Sequence, residues 1–248
     1  MLKFTKITIS TLVSASLFLS NFSYLKSQEI NKNTLPTGGT VESGNATITS
    51  NQSNLSVKQN SDKVILNWET FNIGRDASVE FFQPSSSSTA LNRVFASDPS
   101  HIYGSLKANG KLIFLNPSGV IFQGGSKVDV GAMIASSLNL SSENFLNDDY
   151  VFEKTNDISG LIKNEGTLSA FKEGTIALIS NRIENNGVIN TPEGSAAMLS
   201  GDKVKLSLDG NKLINYSIEQ GALNSLIENN KAINANNGSV ILSSEGKD

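Results

Sequence analysis

The chain has 248 residues and a formal charge of −3, so it lacks the basic excess that a phosphate backbone demands, and no nucleic-acid partner is expected. It contains no cysteine and one histidine, which excludes disulfide frameworks, zinc–thiolate centres, thiol chemistry and multi-histidine metal sites. Hydrophobic residues at 38% suffice for a core, while 36 Ser and 29 Asn take the place of charge, which at 17% lies below the globular norm.

The first element is an export address. Lys3 and Lys6 precede an apolar stretch from Ile7 to Leu19, followed by the small polar residues Ser20, Asn21, Ser23 and Ser27. That is the layout of a secretory signal peptide, residues 1–27, with cleavage between 23 and 27. The alternative is an amphipathic or buried helix of a cytosolic protein. The stretch is too short to span the hydrocarbon of a bilayer as a helix. The expected route is export by the Sec machinery into the periplasm, and removal of Lys3, Lys6 and Lys26 takes the formal charge to −6.

After residue 30 the chain reads as strands. Short runs such as Leu55-Ser56-Val57, Val64-Ile65-Leu66, Leu112-Ile113-Phe114 and Val128-Asp129-Val130 are cut by Gly, Asn, Asp and Ser. Residues 145–160 carry charge and aromatics and are expected to leave the regular pattern as a loop or hairpin. From residue 164 a template repeats: N-x-G-x-(I/L), a short turn, then G-x-apolar-x-L-x-S, at Asn164–Ser180, Asn186–Ser200 and Ala232–Ser243. Between the last two copies, Lys203–Leu208 and Lys212–Ile218 read as longer strands, and Gln220–Ile227 as weakly helical or turn-like. Gly174 and Gly194 are 20 residues apart, and the 44 residues from Gly194 to Gly238 read as two further periods.

A period near 20–22 marks a solenoid. Three short strands and three turns use that many residues, and each coil buries its apolar side only by stacking on the next. The leucine-rich pattern is absent. The expected fold is all-β: a right-handed parallel β-helix of roughly ten coils, about 45–50 Å long. Aligned Asn side chains are expected to form ladders between coils.

Few residues suggest chemistry. His101 reads as a surface loop residue with no partner for a relay. No serine lies in G-x-S-x-G, and Ser85–Ser88 read as a polar turn. Asp148 and Asp149 are neighbours that point apart in a strand, and Asp129, Glu165, Glu173, Glu184, Glu193 and Asp202 are dispersed. Gly124-Gly125 belong to no nucleotide motif. Trp68 with Phe71, and Phe81 with Phe82, read as a cluster capping one end or flank of the rod. No catalytic residue, metal or cofactor is expected.

Several blocks in fixed order carry a resemblance. They are Leu35-Pro36-Thr37-Gly38-Gly39-Thr40-Val41; Asp62 to Gly74, including Asn67-Trp68-Glu69-Thr70-Phe71-Asn72-Ile73-Gly74; Ala90-Leu91-Asn92-Arg93-Val94; Gly104 to Gly110; Leu115-Asn116-Pro117-Ser118-Gly119-Val120; and Val128 to Ser137. Over roughly residues 35–245 the chain resembles the filamentous haemagglutinin N-terminal domain, the secretion (TPS) domain of two-partner secretion exoproteins, on the side of the large non-fimbrial adhesins. The resemblance implies an N-terminal cap, extra-helical hairpins and a TPS domain over 28–248 that opens a longer exoprotein. It implies a non-enzymatic secretion and targeting module whose partner is an outer-membrane Omp85-type (TpsB) transporter with POTRA domains. The chain would leave unfolded, fold outside and seed further β-helix at the cell surface or beyond. The family's Asn-Pro-Asn-Gly turn falls on Asn116, Pro117, Ser118 and Gly119, with Ser118 departing from it; the turn is expected to survive, since Ser also favours turns. Candidates for partner recognition are Asn67, Phe71, Asn72, Gly74, Asn92, Arg93 and Gly131. The rival readings are an adhesin engaging a host receptor, glycan or protein, and a polysaccharide-degrading β-helix enzyme.

Overall fold

The structure, a computed structural model, describes residues 30–158 and 160–247. The expected signal peptide lies outside the described residues.

One coil is built from three strands on three walls. Ser105–Leu115 crosses from the first wall to the second at Asn109-Gly110, pairing with Ser78–Phe82 before it and Thr89–Val94 after it, and Gly119–Phe122 forms the third wall. The first wall stacks Asn54–Gln59, Ser78–Phe82, the first halves of Ser105–Leu115 and Lys127–Ser136, Thr167–Ala170, Val188–Asn190 and Ile233–Asn234. The second stacks Lys63–Trp68, Thr89–Val94, the two second halves, Thr175–Ile179, Ser195–Ser200 and Ser239–Ser244. The third stacks Ser100–Ile102, Gly119–Phe122, Leu161–Asn164, Arg182–Asn185 and Leu226–Asn229. All these pairings are parallel, and the spiral is a right-handed β-helix.

The corner between the first two walls explains the glycine of the repeat. Gly131, Gly174, Gly194 and Gly238 each lie against the carbonyl oxygen of the glycine one coil earlier, so a side chain there would strike backbone.

Seven coils stack among the described residues, about 30 Å of rod, rather than ten. The 44-residue interval is one coil, because Ser195 pairs directly with Ser239. The antiparallel hairpin Lys203–Asp209/Lys212–Gln220 fills the difference. A second excursion, with helix Ser142–Leu146 and strand Tyr150–Glu153, leaves the fourth coil, as expected for residues 145–160. Tyr150–Glu153 pairs antiparallel with Lys203–Leu206, so both excursions join in one three-stranded sheet.

That sheet covers the outside of the second wall. Val64, Leu66, Leu112, Phe114, Ile176 and Leu178 enter the core inside the spiral. Their alternates Ile65, Ile113, Ile134, Ile179 and Leu199 join an outer core with Phe145, Phe152, Val204 and Leu206. Strands covered on both faces are continuously apolar, which accounts for the runs Thr175–Ile179 and Ser195–Ser200.

At the N-terminal end, Thr40–Ser43 pairs antiparallel with Lys63–Trp68, and Ala46–Asn51 with Asn54–Gln59. Leu35, Ala46 and Ile48 close the inner core there. Trp68, Phe71 and Phe81 are core residues inside the spiral rather than a cap over it, whereas Phe82 is half exposed. His101 stands on the strand Ser100–Ile102, half-buried, rather than on a loop. Its Nδ1 lies 3.0 Å from Gln123 Nε2, and burial lowers its pKa.

Candidate functional site

The Asn116-Pro117-Ser118-Gly119 turn links the second and third walls of the third coil. Gly119 N donates to Asn116 O at 2.8 Å, and Ser118 N to Asn116 Oδ1 at 2.9 Å, so the asparagine closes the turn with its backbone and its side chain. Asn116 is fully buried, and its Nδ2 donates to Ser100 Oγ at 2.9 Å in the coil before. Ser118 Oγ donates to Ser97 O at 2.9 Å, also one coil back. Gly119 has φ +112°, and a side chain on it would meet Leu161 O of the next coil. The turn therefore ties three coils together, and serine at 118 supports it.

The candidates for partner recognition fall into two groups. Asn67 and Arg93 converge on Glu42 of the cap. Asn67 Nδ2 donates to Glu42 Oε2 at 2.9 Å, and Arg93 Nη1 donates to the same oxygen at 3.1 Å. Arg93 also donates to Ser142 Oγ at 2.9 Å and Leu140 O at 2.8 Å, where the first excursion begins. Hydrogen bonds from Ser142 and Asn67, with the Arg93 charge, hold the Glu42 carboxyl below its ordinary pKa against the cost of burial. Cap, first coil, second coil and excursion meet in this one knot.

The second group is internal. Phe71 packs edge-on to Trp68 and Phe114, with centroids at 5.2 and 4.6 Å. Asn92, 1% exposed, accepts from Trp68 Nε1 at 3.0 Å. Asn72 Oδ1 accepts from His101 N at 2.8 Å. Gly74 leaves room for the backbone of Asn31 and Lys32, and Gly131 for that of Gly110. The structure thus uses these side chains to hold the coils, and does not gather them on one exposed surface.

The sequence analysis missed a cluster beneath the extra-helical sheet. Lys111, 4% exposed, donates to Gly210 O at 2.6 Å in the hairpin turn, and its Nζ lies 5.3 Å from the Tyr150 ring. Burial pushes its ammonium down to about 8. Lys63 donates to Leu146 O at 2.8 Å and pairs with Asp148 at 2.8 Å. Burial and the hydrogen bond to Asp148 raise the Tyr150 phenol. These two lysines pin both excursions to the second wall. The available signal was a lysine at the head of an otherwise apolar run, Lys111-Leu112-Ile113-Phe114-Leu115. The expected asparagine ladder is present: Asn164 Nδ2 donates to Asn185 Oδ1 at 2.8 Å, and Asn185 Nδ2 to Asn229 Oδ1 at 2.7 Å.

Together these features define a β-helical domain sealed at its first coil, with a wall of outer sheet and a turn that ties three coils. Residues 31–248 match the family model of the TPS secretion domain, and the chain belongs to that family, the secretion module of two-partner secretion exoproteins. Proteins with this domain are secreted to the cell surface or extracellular space, and the system pairs each with a TpsB transporter. The chain is 29% identical over 219 residues to a heme/hemopexin-binding protein of Haemophilus influenzae, covering 86% of this chain and 24% of that protein. A second protein of that name from Haemophilus influenzae is 36% identical over 100 residues, 40% of this chain and 11% of its own length. The chain therefore spans a quarter or less of these relatives. The crystal structure of the HMW1 secretion domain from Haemophilus influenzae superposes with a TM-score of 0.74 at 28% identity, covering 84% of this chain and 57% of that one.

Proposed function

We propose that residues 28–248 are a non-enzymatic address. After Sec export they direct an exoprotein to an outer-membrane barrel of the Omp85 type, through its periplasmic POTRA domains, and they seed further coils outside the cell. The observation that carries this reading is the burial of the recognition candidates. Asn92 and Phe71 are inaccessible once the domain has folded, and Arg93 is spent on Glu42, Ser142 and Leu140. A partner that reads them must do so on the extended chain. An extended segment adds to the edge of a POTRA sheet by main-chain hydrogen bonds, with alternate side chains giving specificity. Folding outside then opposes return, because each coil laid down buries apolar surface. The turn at Asn116–Gly119 fixes three coils at once and suits the start of that process.

Two measurements test it. Deleting residues 104–137 in a strain carrying the transporter is expected to abolish surface release; unchanged release overturns the proposal. Chain diluted from urea is expected to bind the POTRA segment, and refolded chain is not. Equal binding of the folded domain would place recognition on its surface instead.

A further inference from the structure

The first turn of the spiral ends the rod on an open strand edge. Thr40–Ser43 pairs toward the coil above it on the second wall, and Ala46–Asn51 does so on the first. Among the described residues, Ala46–Asn51 pairs with Asn54–Gln59 alone, so its other edge is free. Free edges invite pairing, and folds blunt them. The outer sheet does so. Its last strand, Lys212–Gln220, has charges near both ends, a bulge, and two amides taken up by side chains: Leu213 N donates to Thr175 Oγ1 at 2.9 Å, and Tyr216 N to Asn215 Oδ1 at 2.8 Å. Ala46–Asn51 shows none of these devices among the described residues. Its register runs without a bulge, and from Gly44 to Val57 the sequence holds neither a charged residue nor a proline.

The ladder fixes which groups that edge offers. Asn60 N donates to Asn45 O at 2.8 Å, so Asn45 and its alternates Thr47 and Thr49 bond to the neighbouring strand. Ala46, Ile48 and Ser50 turn their N–H and C=O groups away from it, along the rod axis. These three also stand opposite Gln59, Val57 and Leu55, which are buried inside the spiral. Ala46 and Ile48 pack on the inner core but are only half-buried, and Val41, opposite Leu66 on the second wall, is 40% exposed. An uncovered apolar end and a row of unpaired main-chain groups therefore share one face.

We propose that this edge pairs with the same edge of a second copy, joining two folded chains head to head about a two-fold axis at Ile48. The strand is its own complement. In the antiparallel register centred on Ile48, Ala46 meets the second copy's Ser50, Ile48 meets Ile48, and Ser50 meets Ala46. Each opposed pair exchanges two main-chain hydrogen bonds, about six in all. The two isoleucines meet on the inner side, over the half-covered core, and Thr47 meets Thr49 on the outer side; β-branched cross-strand pairs of this kind stabilise a sheet. No like charges face each other. A foreign strand would have to supply a neutral pattern of the same alternation, which a second copy already holds. The contact consumes the edge, so assembly closes at two, and because the edge faces along the axis the two rods lie end to end. This contact is separate from export, belongs to the folded protein, and doubles the valency of whatever the rods carry.

Sedimentation of the full folded chain tests it. A reversible monomer–dimer equilibrium is expected, half associated at about 10–100 μM, with small-angle scattering giving a dimer about twice as long as the monomer. Thr47 and Thr49 are exposed, so the double variants T47E/T49E and T47K/T49K leave circular dichroism unchanged. Each sets like charges opposite one another twice and is expected to weaken association at least about tenfold. Mixed in equal amounts, the two bring opposite charges together and are expected to form a heterodimer at least as tight as the parent dimer. Ser50→Pro removes an outward donor and no bond to Asn54–Gln59, and is expected to weaken association about tenfold. The proposal is overturned by a chain still monomeric at about 1 mM, by a dimer no longer than the monomer, by growth beyond two copies, or by a mixture of the double variants that stays monomeric. Surface release of both double variants, read in the strain carrying the transporter, is expected to be unchanged, so failure here is distinct from failure of the secretion reading.

Discussion

Strands Ser195–Ser200 and Ser239–Ser244 are the same station of the coil met twice. Both follow a corner glycine, and they pair in register, Ala196 with Val240 and Met198 with Leu242. Yet Ala196 and Met198 are 2% and 1% exposed, while Val240 and Leu242 are 47% and 48% exposed. The earlier strand lies between two coils. The later one has a coil on one side only among the described residues. In a solenoid, burial is conferred by neighbours rather than by a strand's own sequence, so matched positions differ in worth according to what is stacked on them.

The largest expected effect follows directly. Met198→Ala should lower unfolding free energy in urea by about 2–5 kcal/mol, because it opens a cavity in closed packing. Leu242→Ala should change it by less than about 0.5 kcal/mol. Equal losses at the two positions would mean that the last coil is as firmly held as the sixth.

The outer sheet supplies the other half of that closure, and Lys111 shows how it responds to pH. Burial holds its folded pKa at about 8, below the ordinary 10.5 of a lysine, so the fold disfavours the charged form. The cost is complete below pH about 8 and is relieved as pH rises toward the unfolded value, so on this account stability rises across that window. Lys111→Met should therefore gain most over the parent near pH 7. That advantage should shrink by up to about 3 kcal/mol by pH 10.5, in urea melts at both pH values. A pH-independent difference would place Lys111 outside the covered region.

The same distinction explains what the sequence could and could not reveal. Template copies at Gly174, Gly194 and Gly238 were legible because backbone contact at that corner tolerates only glycine. The asparagine ladder was legible for a similar reason, since its members recur at one station. The 44-residue interval was misread because a hairpin of two long strands holds about as many residues as a coil, and periodicity alone cannot separate them. Trp68 and Phe71 were misplaced because an aromatic pair reads alike inside a spiral or over its end. Continuous apolar runs such as Thr175–Ile179 hold a signal of cover on both faces that the repeat reading passed over, and they name neither the covering strands nor Lys111 beneath them.

The ladder sharpens the comparison at smaller scale. Asn185 is fully buried, accepting from Asn164 and donating to Asn229, while Asn229 ends the ladder among the described residues. Asn185→Ala leaves buried amide groups without partners and should cost about 1–3 kcal/mol. Asn229→Ala should cost a few tenths of that. Hydrogen exchange at the neighbouring third-wall amides would register the difference, and equal effects would show that the ladder is not anchored from within.

The smallest effect concerns the opposite end, where the first coil is closed by Thr40–Ser43. Glu42 holds that strand through Ser142, Asn67 and Arg93, and these partners keep its carboxyl below the ordinary 4.5. A depressed carboxyl contributes above its unfolded pKa and loses that contribution as pH falls through the folded value. Its side chain is 36% exposed, so solvent screens the effect and it stays local. Trp68, the one tryptophan, reports on it, because its ring packs directly against the backbone of Gly39 beside the cap strand, with Ile48 next to it. The emission of the parent chain should shift to the red on acidification from pH about 6 to about 3, as the cap loosens over the ring. Glu42→Gln should already show part of that shift at neutral pH and little further change in acid. Met198→Ala in the sixth coil should leave the neutral-pH emission untouched. If Glu42→Gln follows the parent throughout, the cap is held by strand pairing alone, and the closed end owes nothing to the knot of charges beside it.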